Sequence, residues 1–352
     1  MKTKMMVLLC SFFLLILIAG FLALSRNPNP HVEETTITPA DSPQFSEGFF
    51  IGLLPTPAEG QTFEQSYRLA SQFASFSPVW GKPTPFYNLA EDLSGQWGQT
   101  FVENYIRGNG MFPLVHVSFM GQGVTLIKPP DLEDTSLSDP EWRSAYKNAI
   151  LDVVETSRPL YLSIGNEVNR WYEKYGAEEN DPNGFQHYVS LYEEIYDAVK
   201  KISPLTRVFC TFAREMVNEL READLTVLAM FPQEKMDLLV ITSYPYAVSG
   251  INRPSDLPLD YYSRVSNYMS EKPFGFSELG WPSMDAFGGE PGQADFIIKV
   301  SDLLTKKQGI NLQLFGWAWL HDLDKNDYLG LIKRDGTEKL AYSVWKNLRS
   351  NG

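Results

Sequence analysis

The chain has 352 residues, 43% of them hydrophobic and 13% aromatic, which is ample for one large core; a single α/β barrel commonly uses about 250 residues. The formal net charge of −13 and the pI near 4.9 argue against binding to a phosphate backbone, so nucleic acid is not an expected partner. The two cysteines, Cys10 in an apolar stretch and Cys210 in a strand-like run, are too differently placed to form a disulfide.

The N-terminus has the pattern of an export signal. Lys2 and Lys4 precede an apolar run without charges from Met5 to Leu24. Because this run is longer than the roughly 7–15 apolar residues of a cleaved signal and long enough to span a bilayer, residues 1–25 are expected to be a signal anchor, with a cleaved signal peptide as the alternative. The positively charged end stays in the cytoplasm, which places the remainder of the chain outside it.

Residues 26–45 are rich in proline, threonine and acidic residues and are predicted to form a flexible linker before a folded domain of residues 46–352. In this domain short apolar runs alternate with longer amphipathic ones, the pattern of β/α units on a parallel sheet. The eight apolar runs are Phe49–Leu54, Ala74–Trp80, Met111–Ser118, Pro159–Gly165, Thr206–Phe212, Met236–Tyr244, Pro273–Ser277 and Leu314–Trp319. The helical stretches between and after them include residues 62–74, 138–155, 184–202, 295–307 and 340–349.

Eight strands separated by helices predict a closed (β/α)8 TIM barrel. The alternative is a doubly wound open sheet. However, the sequence GLLPTPAEG, which follows the first run, has the wrong spacing for the glycine-rich dinucleotide loop of such sheets. The barrel is therefore the preferred fold.

Two glutamates stand directly after predicted strands. Glu167, in YLSIGNEVNRW, follows the fourth run, and Glu278, in FGFSELGWPS, follows the seventh. In an eight-stranded barrel these two strand ends lie nearly across the mouth from each other, on the face that carries active sites. Two carboxylates about 5–5.5 Å apart can split a glycosidic bond with retention, because one protonates the leaving oxygen and the other attacks the sugar. Either residue alone would be read as one of 43 acids on a solvated surface, but their shared position favours catalysis.

These strand ends resemble those of clan A glycoside hydrolases, retaining β/α-barrel enzymes with an Asn-Glu pair after strand four and a nucleophile after strand seven. Asn166, Glu167 and Glu278 match those positions. The segment SELGWPS is also similar to the nucleophile segment of plant-type endo-β-1,3-glucanases, and SYPY, residues 243–246, resembles the endo-β-1,4-galactanases of the clan. Both subfamilies stay open.

The resemblance implies a role for each matching residue. Glu167 would be the general acid/base, with its pKa raised by an apolar pocket and by the charge of Glu278. Glu278 would be the nucleophile, and Asn166 would bind the sugar 2-hydroxyl. Because Glu278 must stay ionised, a hydroxyl donor is expected beside it; Tyr244 is the first candidate and Tyr246 the second, and either could equally be an ordinary rim aromatic.

Further residues are candidates for sugar binding. Trp317 and Trp319 alternate about Ala318 and are expected to face the same side of strand eight, where one would form the floor of a sugar subsite. Trp80, Trp281 and Trp171 could line neighbouring subsites, and His116, near the end of strand three, could bind a hydroxyl. Filling of the space between barrel and helices is an equally good explanation for any one tryptophan, and a core position is the commoner outcome for a histidine.

One position departs from the clan pattern. Many members have an arginine after strand two that supports the nucleophile, and the segment SPVWGKP offers only Lys82. Support of the nucleophile from strand two is therefore in doubt.

No cofactor is expected. The four histidines form no HExxH motif, and the DLDKN segment at Asp322 lacks the turn glycine and the terminal acid of a calcium loop, so a metal site is not predicted. The expected partner is an extracellular β-linked oligosaccharide or polysaccharide, with membrane contact only through the N-terminal segment and with the chain as a monomer. The alternatives are a glycan-binding barrel without activity and a transglycosylase that remodels β-glucan.

The export signal leads to a testable prediction. Protease added outside intact cells should digest the chain after Arg26, because this part is expected to lie outside the cytoplasm. Immunoblotting before and after lysis measures this. Protection in intact cells, with digestion only after lysis, would show that the chain is not exported.

Overall fold

A computed structural model describes residues 36–43, 48–79, 85–132 and 134–348. In this part of the chain one sheet of nine strand segments forms, and its neighbouring segments pair in parallel. The strands are β1 (Phe50–Leu54), β2 (Phe76–Val79), β3 (Phe112–His116), β4 (Tyr161–Ser163), β5 in two segments (Arg207–Phe209 and Thr211–Ala213), β6 (Leu239–Ser243), β7 (Phe274–Leu279) and β8 (Leu312–Trp319). The α-helices of four or more residues are α1 (Phe63–Ala70), α2 (Phe86–Ser94), α3 (Pro140–Ser157), α4 (Asn169–Tyr175), α5 (Phe185–Ile202), α6 (Ser263–Ser266), α7 (Gly289–Asp302) and α8 (Leu340–Lys346).

The sheet curves into a nearly closed barrel. Its two edges are the two segments of β5, and only Cys210 separates them in the sequence. Thr211 joins these edges, because its N–H donates to Gly165 O at 2.9 Å on one side while it pairs with Val240 of β6 on the other. Counted as one strand, the two segments make β5 the fifth of eight, as the sequence predicts; the open doubly wound sheet is wrong.

Most predicted elements are present. Each of the eight apolar runs overlaps a strand or both segments of β5. Helix α3 begins at Pro140 and is capped by Asp139, whose Oδ1 accepts the N–H of Glu141 at 2.8 Å. Three helices, α2, α4 and the short α6, and a π-helical segment over Gln99–Ile106 were not predicted from the sequence.

The bottom of the barrel, where the strands begin, is filled by side chains. The Phe112 ring stacks on those of Phe76 and Tyr161, with centroids 5.7 and 5.2 Å apart, and Phe50 meets it edge-on. Gln313 of β8 donates to the Tyr161 hydroxyl at 3.0 Å. The interior is therefore packed at this end, which leaves the carboxyl ends of the strands for a site.

A segment before β1 crosses the bottom of the barrel. The N–H of Ile37 donates to Ile202 O at 2.6 Å, the N–H of Ala40 donates to Arg158 O at 2.9 Å, and Asp41 pairs with Arg107. The compact unit of the chain accordingly begins at Ile37. These residues fall within the linker predicted for 26–45, and the backbone groups of Ile37 and Ala40 bond to the ends of α5 and α3.

The predicted signal or anchor at 1–25 lies outside the described residues, as do residues 26–35 and 44–47. Among the residues that are described, no helix is both long and apolar enough to cross a membrane.

We expect the segment under the barrel to contribute to stability. Arg107 holds Asp41 through two hydrogen bonds of 3.0 and 2.9 Å, and the two side chains are only 13% and 9% exposed. Arg107→Ala should lower the free energy of unfolding by about 3 kcal/mol, because it leaves a poorly solvated carboxylate without its partner. Urea denaturation measures this loss.

Arg68→Ala is the matched control. Arg68 pairs with Glu64 on the surface, where the side chains are 68% and 54% exposed, and its loss should cost at most about 0.5 kcal/mol. Equal losses in the two variants would show that the Asp41–Arg107 pair behaves as a surface pair.

Candidate active site

The carboxyl ends of β4, β6 and β7 bring polar side chains together at one rim of the barrel. Glu167 follows β4 by four residues, Tyr244 directly follows β6, and Glu278 is the penultimate residue of β7. The sequence analysis placed Glu278 just beyond its strand, whereas β7 continues to Leu279. All three side chains are partly exposed, so solvent or a ligand can reach them.

Glu167 has a constrained backbone and two side-chain partners. Its φ of +50° lies in the left-handed region, which is unfavourable for a residue with a Cβ and is found mostly where surrounding contacts enforce it. Here the N–H of Glu167 donates to Thr211 Oγ1 at 2.8 Å, and that of Val168 donates to Thr211 O at 2.9 Å. The carboxylate accepts a hydrogen bond from Thr242 at 2.7 Å and pairs with Arg170 at 3.1 Å.

The same threonine holds Asn166. Thr211 Oγ1 donates to Asn166 Oδ1 at 2.7 Å, which fixes the amide beside Glu167. The residue before Asn166 has to be a glycine, because a Cβ at Gly165 would collide with the Tyr188 hydroxyl and the Val168 side chain. The Gly-Asn-Glu sequence thus reflects close packing at Gly165 as well as polar chemistry at the next two residues.

An irregularity in the ladder between β6 and β7 directs Glu278. Ile241 pairs with Phe276, but the next residue, Thr242, pairs with Glu278, so Ser277 is skipped. A skipped residue of this kind is a β-bulge, which bends the strand and redirects the side chains after it. Glu278 consequently lies beside Thr242.

The two carboxylates share neighbours. Thr242 pairs with Glu278 across the ladder and donates its hydroxyl to Glu167. The Tyr244 hydroxyl donates to Glu278 Oε2, the contact expected of the first of the two tyrosine candidates. Arg170, which the sequence analysis missed, binds Glu167 and also favours the charged form of Glu278.

Burial and charge act on Glu278. Its pKa is raised to about 7, first by burial and then by the negative charge of Glu167, while the hydrogen bond from Tyr244 and the charge of Arg170 lower it. An effect of burial on the pKa of Glu278 was not predicted from the sequence.

Trp317 does not reach the rim. It is fully buried, its indole N–H donates to Leu329 O at 2.8 Å, and its ring packs against Phe296 of α7 and Trp345 of α8. Trp317 therefore fills the space between barrel and helices and presents no face to a sugar, contrary to its prediction as a possible subsite floor.

The assumption that Trp317 and Trp319 share a face fails because of a second register shift. Leu53 pairs with Trp317 and Leu54 with Trp319, so consecutive residues of β1 pair with residues two apart on β8. Trp319 remains partly exposed, and its N–H donates to Asp327 at 2.6 Å. Of the two, Trp319 is the one available to a ligand.

Trp281 also belongs to the core. It is fully buried, stacks on Phe296 with centroids 4.8 Å apart, and donates to Phe287 O.

Tyr246, the second tyrosine candidate, is partly exposed and meets Trp281 and Phe287 edge-on. The tyrosine hydroxyl that donates to Glu278 is that of Tyr244. Tyr246 therefore supports the rim from behind.

The other sugar-binding candidates are buried or lie outside the described residues. His116 ends β3 and is 5% exposed, and burial lowers its pKa to about 3, so the ring is neutral near pH 7. Trp171 is fully buried in α4. Trp80 and Lys82 lie outside the described residues.

An open cleft of about 580 Å³ adjoins Glu167. Its walls come from the hairpin over residues 120–126, the first turns of α4, and the hairpin over residues 215–222. Asn166, Glu167 and Arg170 line it, but Glu278 does not. The cleft therefore extends from the Glu167 side of the pair.

Asp322, the first residue of the segment considered for calcium, has other partners. It pairs with the buried ammonium of Lys339 at 2.7 Å and accepts the N–H of Gly330 at 2.9 Å. Among the described residues, no group of three or more His, Cys, Asp or Glu side chains is arranged to hold a metal ion.

The fold resembles those of solved glycoside hydrolases. A GH5_18 protein from Streptomyces cattleya, in complex with GlcNAc, superposes with a TM-score of 0.59 at 14% sequence identity, over 86% of this chain and 80% of that chain. A family 39 glycoside hydrolase from Bacteroides cellulosilyticus WH2 gives 0.59 at 17% identity, over 85% and 63%. The β-glucuronidase of Ruminococcus gnavus gives 0.53 at 15%, over 85% and 49%.

No protein-family model and no curated protein matches the sequence. The structural similarities confirm the parallel α/β barrel.

The raised pKa of Glu278 has a consequence for stability. A carboxyl whose folded-state pKa of about 7 exceeds its ordinary 4.5 destabilises the folded state as it ionises between those two pH values. The natural chain should therefore lose stability between pH 4 and pH 8, whereas Glu278→Gln should not lose this part. The free energy of unfolding of the variant, minus that of the natural chain, should rise by on the order of 1–3 kcal/mol from pH 4 to pH 8. Thermal or urea unfolding at both pH values measures this. A stability difference that does not vary with pH would show that Glu278 ionises in the ordinary range.

Proposed function

We propose that this chain is a retaining glycoside hydrolase that cleaves β-linked glycans, with Glu167 as general acid/base and Glu278 as nucleophile. One observation carries the proposal: the glutamates after β4 and near the end of β7 meet at one rim, linked through Thr242, with the Tyr244 hydroxyl on Glu278. Similarity of fold alone would not support a reaction, because one barrel serves many chemistries.

Each glutamate has a defined task in both steps. In the first, Glu278 attacks the anomeric carbon, the glycosidic bond breaks, and the proton of Glu167 passes to the leaving oxygen. In the second, Glu167 takes a proton from water, whose oxygen attacks the same carbon and releases Glu278. The two inversions retain the configuration of the sugar, and both carboxyl groups return to their starting states.

The contacts at the rim bear on the first step, which needs the proton on Glu167 and the charge on Glu278. Donation from Tyr244 stabilises the charge on Glu278 and favours this distribution. Arg170 binds Glu167 and stabilises its charged form, which the second step requires. The first step needs a charged Glu278, which Tyr244 favours, and the second needs a charged Glu167, which Arg170 favours.

The position of the cleft suggests where each part of a substrate binds. The cleft adjoins Glu167, which protonates the leaving oxygen, and excludes Glu278, which attacks the retained sugar. We assign it to the leaving part of the glycan. Two structural neighbours support a β-linked substrate: a GH5_18 protein solved in complex with Manβ1-4GlcNAc and the β-glucuronidase of Ruminococcus gnavus.

The proposal extends to location and partners. The basic, apolar N-terminus supports export, with the domain secreted or anchored outside the cytoplasm. The substrate is then an extracellular oligosaccharide or polysaccharide, and the domain works as a monomer without a cofactor.

Variants of the two glutamates test the mechanism after dinitrophenyl β-glycosides of several sugars have identified a substrate. Glu278→Ala should lose turnover by several orders of magnitude, because no covalent intermediate can form. Glu167→Ala should still form the intermediate from this good leaving group, release dinitrophenol in a burst, and be accelerated by azide, which needs no general base. Stopped-flow absorbance follows both.

The azide products distinguish the roles. Glu167→Ala should yield the β-glycosyl azide, and any rescue of Glu278→Ala should yield the α-anomer, because azide then enters from the vacated face. Exchange of the two anomers would reverse the assignment. Glu64→Ala, which removes an exposed carboxylate from α1 and leaves the lining of the cleft intact, is the control and should stay within a few-fold of the natural chain.

Other outcomes would identify the alternatives. Glycan binding without turnover of any glycoside would indicate a binding barrel, and lengthening of oligosaccharide products would indicate a transglycosylase.

A further inference from the structure

A third carboxylate lies buried behind the rim. Glu215 follows β5 by two residues and is 3% exposed. Three donors converge on it: Ser243 Oγ at 2.8 Å, the N–H of Tyr244 at 2.6 Å and the Tyr261 hydroxyl at 2.7 Å. The proposed mechanism assigns it no task.

Glu215 is part of a built network of charges. The adjacent Arg214 is 2% exposed, pairs with Glu222 at 2.7 Å, and stacks on the Tyr261 ring with its guanidinium carbon 4.0 Å from the centroid. The charge of Arg214 favours ionised Glu215. Burial of such groups costs several kcal/mol each, and an apolar replacement is often at least as stable. Stability alone is thus a weak explanation for a carboxylate at this position.

What Glu215 holds is the backbone that carries Tyr244. Its Oε2 accepts the N–H of Tyr244, and its Oε1 accepts the hydroxyl of the preceding Ser243. The Tyr244 ring lies against Gly280, where a Cβ would come within 2.7 Å of the ring, and its hydroxyl donates to Glu278. Tyr244 is therefore fixed at the backbone, the ring and the hydroxyl.

We propose that Glu215 is a positioning residue that aims the Tyr244 hydroxyl at Glu278 by anchoring the Tyr244 backbone. The inference rests on the proposed function for the role of Glu278 as nucleophile, but the contacts themselves do not depend on it. Without the anchor, the end of β6 would shift and Glu278 would lose a donor to its charged form.

The direction of the effect separates positioning from charge. The groups that face Glu278 are Glu167 after β4, Tyr244 after β6 and Arg170 on α4. Among these three groups, Tyr244 is the one to which Glu215 is hydrogen-bonded. Loss of the Tyr244 hydrogen bond raises the pKa of Glu278, whereas simple removal of a nearby negative charge would lower it. A rise is therefore specific to positioning.

The experiment compares Glu215→Ala with the natural chain by NMR titration of protein labelled with carbon-13 at the glutamate carboxyls. The Glu278 signal is identified by its absence in Glu278→Gln. We expect Glu215→Ala to move the titration of Glu278 to higher pH by roughly one to two units, the value of one hydrogen bond to a charged carboxylate. The acidic limb of kcat/KM should move equally.

A double-mutant cycle tests whether the effect passes through Tyr244. In the Tyr244→Phe background, Glu215→Ala should cause no further shift, because the hydroxyl is already gone. Tyr261→Phe is the matched control: it removes another hydrogen bond to Glu215 and should lower the melting temperature while leaving the titration of Glu278 in place. Where Glu215→Ala does not fold, Glu215→Leu replaces it, since an apolar side chain fills the space but cannot accept the N–H of Tyr244.

The outcomes are distinct. No shift, a shift to lower pH, or an equal shift in the Tyr244→Phe background would overturn the positioning role. The NMR titration needs no turnover, so failure of every glycoside substrate would count against the proposed function and leave the test of Glu215 intact.

Discussion

The contact on which the candidate site depends is the closure of the barrel at Thr211. Its backbone bonds to the residues after β4 and pairs with β6, and so joins the two edges of the sheet. Its hydroxyl accepts the N–H of Glu167 and donates to Asn166. The same residue thus completes the fold and holds two candidate site residues, one of them in a left-handed conformation that would be costly in a free chain.

The rim also shows how the burial of charge is tolerated. The pKa values of Glu278 and Glu215 are both raised to about 7, in each case mainly by burial, while donors from β6 oppose the rise. Tyr244 donates to both carboxylates, through its N–H to Glu215 and through its hydroxyl to Glu278, and so opposes the effect of burial on each of them.

Regular patterns in the sequence were enough to predict the barrel and part of the candidate site. Alternating apolar and amphipathic runs predicted the strands and the helices that connect most of them, and the position of Glu167 and Glu278 at strand ends, together with their resemblance to a known clan, brought the two glutamates and Tyr244 forward as candidates. Arg170, Thr211 and Thr242 were missed because nothing in their local sequence distinguishes them. The two threonines contact Glu167 but are separated from it by 44 and 75 residues in the sequence. Arg170 contacts Glu167 from a short helix whose start was not predicted.

The error about the two tryptophans has the same physical cause as the position of Glu278, which is a register shift within a strand. Strict alternation along β7 would place Glu278 on the same face as Phe276, which packs against Tyr262 and Phe315 on the helix side. The skipped residue at Ser277 releases Glu278 from that face. The corresponding shift on β8 separates Trp319 from the buried Trp317, which is why the alternation argument for the tryptophans failed. Regular strands build the barrel, and the candidate side chains Glu278 and Trp319 become partly exposed at the points where that regularity breaks.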